Sequence, residues 1–240
     1  MINKSYYLSL FFIIMSCSSE VKETGTIIAT VYTPNKIYLF SDGRTTNLVT
    51  KKIISNSRNK VYKISDKCAL LSAGIKIDRL QSDIINLSKK NHRIYVDEIA
   101  SYCSLYLAKF WKNMVNYNKN TTYPIKNVRI FLFVCGYDKN NKQREFYLDN
   151  LSKIPFEIKE NTIDYRNGNF LTAIIGGENS GAIFSKKISN ILPIDNIDNI
   201  DRAVRKSFDE TKEEISQTDI GIGGETFEYI ITARGLIEIK

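Results

Sequence analysis

Thr26, Asp42, Lys60 and Gly74 offer a hydroxyl, a carboxylate, an ammonium and an unobstructed main-chain N–H, groups that together could serve nucleophilic catalysis. A threonine hydroxyl is a poor nucleophile at neutral pH and needs a base within hydrogen-bond reach whose pKa lies near working pH. An α-amine, with an ordinary pKa of about 8, meets that condition. A lysine cation a few ångströms away would depress that amine further and stabilise negative charge growing on the threonine oxygen, the role open to Lys60. Asp42 would neutralise and position Lys60, because a buried unpaired ammonium is costly. Gly74 would present its backbone N–H to the oxyanion, where a side chain would obstruct the substrate. Each residue also has a plainer reading: Thr26 as a strand threonine, Asp42-Gly43-Arg44 as a surface turn, Lys60 as a strand-edge lysine, and Gly74 as a strand end or bulge. The single histidine, His92, lies among polar residues and weighs against a histidine-dependent triad. Cys17, Cys68, Cys103 and Cys135 form no CxxC pair and no Cys/His pair at metal spacing, so no metal site is expected. The last three sit in apolar runs and read as small core residues.

The elements that must hold these residues follow from the hydrophobic pattern. β-Branched residues from Ile27 to Val31, the turn chemistry of Thr33-Pro34-Asn35 and a second run from Ile37 to Phe40 predict a hairpin that leads to Asp42. A polar stretch from Thr45 to Asn59 follows, with one short strand around Ile53-Ile54. Alternation puts Val61 and Lys63 on one strand face and Lys60, Tyr62 and Ile64 on the other, with Cys68 to Gly74 as a buried strand beyond the turn. Two hairpins in succession predict an antiparallel sheet. From Lys76 the period changes to about 3.6, with Ile77, Leu80, Ile84 and Leu87 on one face of a helix ending near Lys90. A second helix carries Asp97 and Glu98 in its first turn and a stripe through Ile99, Cys103, Leu107, Phe110 and Met114. Strands at Val128 to Gly136 and Phe146 to Leu148, a hairpin around Phe156 and Ile158, and a strand from Phe170 to Ile175 come next. A helix from Ser180 to Ser189, a long amphipathic helix marked by Ile200 to Ile215, and a hairpin around Ala233-Arg234-Gly235 close the order. Segregated strands and helices predict an α+β domain rather than alternating βαβ units.

The run of threonine, β-rich strand, turn, β-rich strand and Asp-x-Arg from Thr26 to Arg44 resembles the start of a mature proteasome-type β subunit, an N-terminal-nucleophile hydrolase. Lys60-Val61 with Ile64, and Ala73-Gly74 with Asp78, extend the likeness after a loop slightly longer than is usual. The resemblance implies a four-layer αββα sandwich of antiparallel sheets. It implies self-cleavage between Gly25 and Thr26, so that Thr26 attacks an amide with its own α-amine as base and passes through an acyl-enzyme. Asp42, Lys60 and Gly74 take the roles described, and Asp219 falls where the family has a supporting aspartate. Thr46 falls where the family holds substrate backbone by strand addition, and Thr45, Ser72 and Lys76 where it lines the pocket for the side chain before the cut. Lys76, with Arg58, would make that pocket basic and suited to acidic or polar side chains. No metal or organic cofactor is implied, the substrate is a peptide or protein, and a homo-oligomeric ring is the expected assembly. The chain departs from the family where two serines complete the hydrogen-bond network: Gly176-Gly177, with Ser180 displaced, and Ile222 stand there instead.

With 240 residues, 43% of them hydrophobic and 25% charged, the chain is long enough for one well-buried domain. The net charge of +8 is spread over scattered lysines with no basic helix, which reads as a solvated basic surface and not as a nucleic-acid site. Residues 1–16 read as a signal or leader segment, with Lys4 before the apolar run Tyr6 to Met15. Ile14-Met15-Ser16-Cys17 is similar to the lipobox of bacterial lipoproteins, which implies lipidation at Cys17, a membrane link through that anchor alone, and a place in the cell envelope. The alternative is a hydrophobic pro-segment on a cytoplasmic protein. Residues 17–25 are then a tether or pro-segment, and residues 26–240 the hydrolase-like domain. Two other functions remain open: a lipoprotein that keeps the fold as a non-catalytic binding or structural module, and a hydrolase of small amides.

Overall fold

A computed structural model describes residues 26–47, 50, 52–74, 78–90, 94–118, 128–163, 171–175, 180–190 and 197–239. Cys17, Gly25, Lys76, His92 and Gly176-Gly177 lie outside these residues, as do the leader and tether. The described chain is a mixed α/β structure with four helices and antiparallel sheets. Among the described residues no helix is long and apolar enough to cross a membrane.

The opening hairpin joins β1 (Ile28–Tyr32) to β2 (Lys36–Asp42), and Thr33 closes its turn by donating from N and Oγ1 to Lys36 O. β3 (Thr45–Thr46) and β4 (Ile53–Ser55) form a small sheet of their own. β5 (Val61–Ser65) and β6 (Cys68–Gly74) follow, then α1 (Asp78–Lys90) and α2 (Val96–Asn118). Next come β7 (Ile130–Tyr137), β8 (Gln143–Asp149), β9 (Lys159–Asn161) and β10 (Leu171–Ile175). The chain closes with α3 (Ser180–Ser189), α4 (Ile197–Ser216), β11 (Thr226–Thr232) and β12 (Gly235–Ile239).

One five-stranded sheet has the order β10-β1-β2-β11-β12, the other β5-β6-β7-β8-β9. The two hairpins expected to share a sheet therefore lie in different ones. Local alternation specifies each hairpin, but the neighbours of β1 and β2 are β10 and β11, which come from the far end of the chain. The hairpin expected around Phe156 and Ile158 is the antiparallel pair β8–β9: Phe156, with φ 62°, lies in their connection and donates from N to Asp149 O at 2.7 Å.

Strand alternation sorts the side chains into three apolar clusters. On β1, Ile28 and Tyr32 meet Val61, Ala69, Leu71, Phe133 and Cys135 of the other sheet, so the two sheets share a core. Ile27, Ala29 and Val31 point the opposite way and pack with Phe184 of α3 and Val204, Phe208 and Ile215 of α4. Phe208 stacks on Phe40 of β2 with ring centroids 5.0 Å apart, and Phe184 meets Phe208 edge-on at 6.3 Å. On the second sheet, Leu70, Leu132, Val134 and Phe146 pack against Leu80 and Ile84 of α1 and Ile99, Cys103 and Leu107 of α2. The expected apolar stripes of α1 and α2 are thus the faces that the helices bury.

One carboxyl group stands inside the layer between the sheets. Glu145 of β8 is fully buried; its Oε2 accepts from Thr30 Oγ1 of β1 at 2.6 Å and its Oε1 from Asn161 Nδ2 at 2.6 Å. The Cys135 thiol also faces Oε2, at 3.6 Å. The Tyr32 hydroxyl is close enough to feel Glu145 and Cys135 electrostatically but forms no well-directed hydrogen bond with either. Burial pushes the Glu145 carboxyl above its ordinary range, against the hydrogen bonds that favour its charged form.

Candidate active site

The site is assembled where the C-terminal end of β2 meets the start of β5 and the loop after α4. Asp42 closes β2 and is fully buried. Its main-chain N donates to Ile27 O at 3.0 Å, and the Ile27 N returns a bond to Asp42 Oδ1 at 3.0 Å. The residue before Ile27 is Thr26, itself buried, so the Asp42 carboxylate holds the amide adjoining the candidate nucleophile.

Lys60 completes the pair. Its ammonium donates to Asp42 Oδ1 at 2.6 Å and to Arg44 O at 2.8 Å. Sequence alternation puts Lys60 on the strand face of Tyr62 and Ile64, which point toward the helices; instead its side chain reaches across to the other sheet. The reason is that Lys60 precedes β5 and is not bound by the strand's pleat. The Asn59 side chain caps the strand start, accepting from Val61 N at 2.8 Å and donating to Tyr229 Oη of β11. Ser72 N donates to Lys60 O at 3.2 Å.

Electrostatics press on both members of the pair. Burial raises the Asp42 carboxyl, opposed by the Lys60 cation and by the amides of Gly223 and Ile27. Burial lowers the Lys60 amine, opposed by Asp42 and reinforced by the Arg58 cation. Moving the proton from Lys60 to Asp42 therefore costs less here than between the same groups in water.

Asp219 stands at the start of the loop after α4, and its carboxylate accepts from Gly221 N at 2.8 Å, which shapes the loop from within. Two residues on, the Gly223 N–H donates to Asp42 Oδ2 at 3.0 Å. Ile222, standing where a hydroxyl is expected, is fully buried among the residues between β1, β2, α3 and α4. The loop thus reaches the carboxylate through main chain.

Gly74 ends β6 with φ +95°, and a Cβ there would come within 1.8 Å of Arg129 O. This close main-chain approach is itself a reason for glycine at the position. Thr45 and Thr46 lie on β3, opposite Ser55 and Ile53, and both are buried, as is Ser72 on β6. The Thr45 hydroxyl has no hydrogen-bond partner among the described residues. Arg58, whose N donates to Gly43 O at 2.9 Å, is half-buried beside Lys60. Lys76 and Gly25 lie outside the described residues.

Sequence reasoning missed Arg44, Asn56 and Gly223 as members of the site. The signal for the first was the Asp-Gly-Arg step itself, and for the last the glycine-rich Gly221-Ile222-Gly223-Gly224. Among the described residues no group of three or more His, Cys, Asp or Glu side chains is arranged to hold a metal ion. No protein-family model matches the chain, and no curated protein matches it.

Proposed function

We propose that the chain is a threonine hydrolase of the N-terminal-nucleophile type, built as a four-layer αββα sandwich and resembling proteasome-type β subunits. The single observation that carries this reading is the sharing of Asp42 Oδ1 between the Ile27 N–H and the Lys60 ammonium, beside Thr26 and away from solvent. The three apolar clusters, one between the sheets and one under each helix pair, support the layer order.

Cleavage between Gly25 and Thr26 would free the Thr26 α-amine. That amine takes the Oγ1 proton as Oγ1 attacks the carbonyl carbon of an amide. The resulting tetrahedral intermediate expels the amine as it receives the proton, leaving an ester on Thr26. Water, activated by the same amine, then hydrolyses the ester. The Lys60 cation lowers the proton affinity of the α-amine and stabilises charge on Oγ1, while Asp42 orients Lys60. Gly74 is the proposed oxyanion donor and Asp219 the support of the loop. Thr45, Thr46 and Ser72, with Lys76 and Arg58, are the proposed binding residues for a peptide substrate with polar or acidic side chains. A homo-oligomeric ring is proposed from the resemblance alone.

Intact mass tests the reading. A purified chain that begins at Thr26, together with a Thr26→Ala variant that stays uncut and inactive, supports it. Normal processing of Thr26→Ala would refute it.

The buried Ile222, which supplies no hydroxyl, favours a second reading: a binding or structural module that keeps the fold without catalysis. A mature chain beginning at a lipidated Cys17, in the cell envelope, is its mark, because cleavage at Gly25 would release the domain from that anchor.

A further inference from the structure

Arg44 is the residue on which the three segments around the buried pair converge. Its main-chain N donates to Gly223 O at 2.9 Å, and its own carbonyl accepts from Lys60 Nζ at 2.8 Å. Its guanidinium donates from Nη1 to Ile222 O at 2.9 Å and to Ile220 O at 3.3 Å, and from Nε to Asn56 Oδ1 at 3.0 Å. The glycine at 223 is what lets it lie there: a Cβ on Gly223 would fall 2.6 Å from Arg44 Cζ, and the φ of +139° also disfavours a side chain. The same Gly223 donates its N–H to Asp42 Oδ2. Asn56 O, in turn, accepts from Glu225 N at 2.8 Å, which ties the 56–58 segment to the same loop.

We infer that Arg44 is a positioning residue for the Asp42–Lys60 pair: its guanidinium clamps the 220–223 loop so that the Gly223 N–H meets Asp42, while its carbonyl fixes the Lys60 ammonium. Beside the Ile27 N–H and the Lys60 ammonium, the third donor to Asp42 is the Gly223 main-chain N–H, and a main-chain donor is aimed by fixing the backbone around it. The carbonyls that Arg44 grips, those of Ile220 and Ile222, are on the approach to Gly223. A planar guanidinium holds its donors in a fixed fork, here Nη1 toward the two carbonyls and Nε toward the amide oxygen, whereas the three donors of an ammonium rotate about one nitrogen and carry no such fixed aim. Releasing the clamp would let the loop swing outward, remove the amide from Asp42 Oδ2 and admit water to a pair now sealed from it.

The kinetic part of this inference rests on the hydrolase reading; the effect on the pair itself does not. The test therefore follows two signals in the full-length chain carrying 13C-labelled lysine: the titration of Lys60 by NMR, and peptide hydrolysis. For Arg44→Met the expected result is a Lys60 amine that titrates higher than in the wild type, because burial is the main force now holding it down. Hydrolysis is expected to fall on the order of 10²-fold in kcat, with KM little changed. Arg44→Lys should show the same two changes, since charge without the fork does not aim the loop. A Lys60 titration unaltered in Arg44→Met, or restored by Arg44→Lys, overturns the inference. If Arg44→Met does not fold, Asn56→Ala decides: it frees the guanidinium Nε, a smaller upward shift of Lys60 is expected, and no shift overturns the inference. Absence of hydrolysis in the wild type would refute the hydrolase reading while leaving the Lys60 titration to decide the role of Arg44.

Discussion

The Lys60 ammonium lies 2.6 Å from Asp42 Oδ1, and the two side chains are 4% and 0% exposed. Neither charge has access to bulk water, so each depends on the other. Removing one partner from such a pair typically costs about 3–5 kcal/mol, because the other is left buried and uncompensated. Asp42→Asn is expected to lower the urea midpoint accordingly and to stop self-cleavage. The double variant Asp42→Asn with Lys60→Met should lose less stability than the sum of the two single changes, since the second substitution removes the stranded charge. Additive losses would mean that the two groups do not act as a pair.

Glu145 sets a dependence of stability on pH. Its folded-state pKa is raised above the ordinary 4.5 by burial, so the stability linked to its bound proton is full below about pH 4.5 and is lost as pH rises through the folded-state value. Glu145→Gln keeps the acceptor for Asn161 and stays neutral at every pH. In urea unfolding over a pH series, the variant is expected to gain on the wild type as pH rises above about 4.5, and the gap to level off once the wild-type group has ionised. A gap of constant size would contradict the role of the buried proton.

The Thr45 hydroxyl is buried without a hydrogen-bond partner among the described residues, a state that ordinarily costs about 1–3 kcal/mol. Thr45→Val removes the hydroxyl at nearly constant shape and is expected to leave the fold as stable or up to about 1 kcal/mol more stable. If the residue lines the pocket for the side chain before the cut, the same change shifts cleavage toward apolar side chains. A peptide library digested by both proteins measures it; a clear loss of stability would show that the hydroxyl is bonded after all.

Phe208 anchors α4 to β2, the strand that ends at Asp42, through its stack on Phe40. Phe208→Ala is expected to cost about 3–5 kcal/mol, with unfolding still cooperative. Calorimetry checks this, and a loss below about 1 kcal/mol would show that the stack contributes little.

The parts of this molecule that depend on neighbours in sequence were legible. The helix from Ser180 to Ser189 and the end of α1 at Lys90 follow from apolar spacing within a few turns. The hairpins of β1 with β2, β5 with β6 and β11 with β12 follow from alternation and turn residues. What could not be read was set by contacts between distant segments. The placement of β10 beside β1, the reach of Lys60 across to the other sheet, and the close approach of Arg129 O that requires glycine at position 74 each depend on where a remote segment comes to rest. The candidate site was half legible for the same reason: residue types named Thr26, Asp42 and Lys60, whereas the value of Arg44 lies in carbonyls about 180 positions away in the chain, whose aim no spacing rule encodes.

The three thiols among the described residues, all buried, give the fold a built-in set of timers. Cys68 and Cys103 lie beneath α1 and α2, and Cys135 lies between the two sheets beside Glu145. Burial raises all three thiols, so none is a thiolate in the folded protein and none reacts until its surroundings open. An alkylating reagent added to the folded chain, followed by peptide mass analysis, therefore records two separate events. Modification of Cys68 and Cys103 dates the lifting of the helices, and modification of Cys135 dates the parting of the sheets, the breach that would bring water to Glu145.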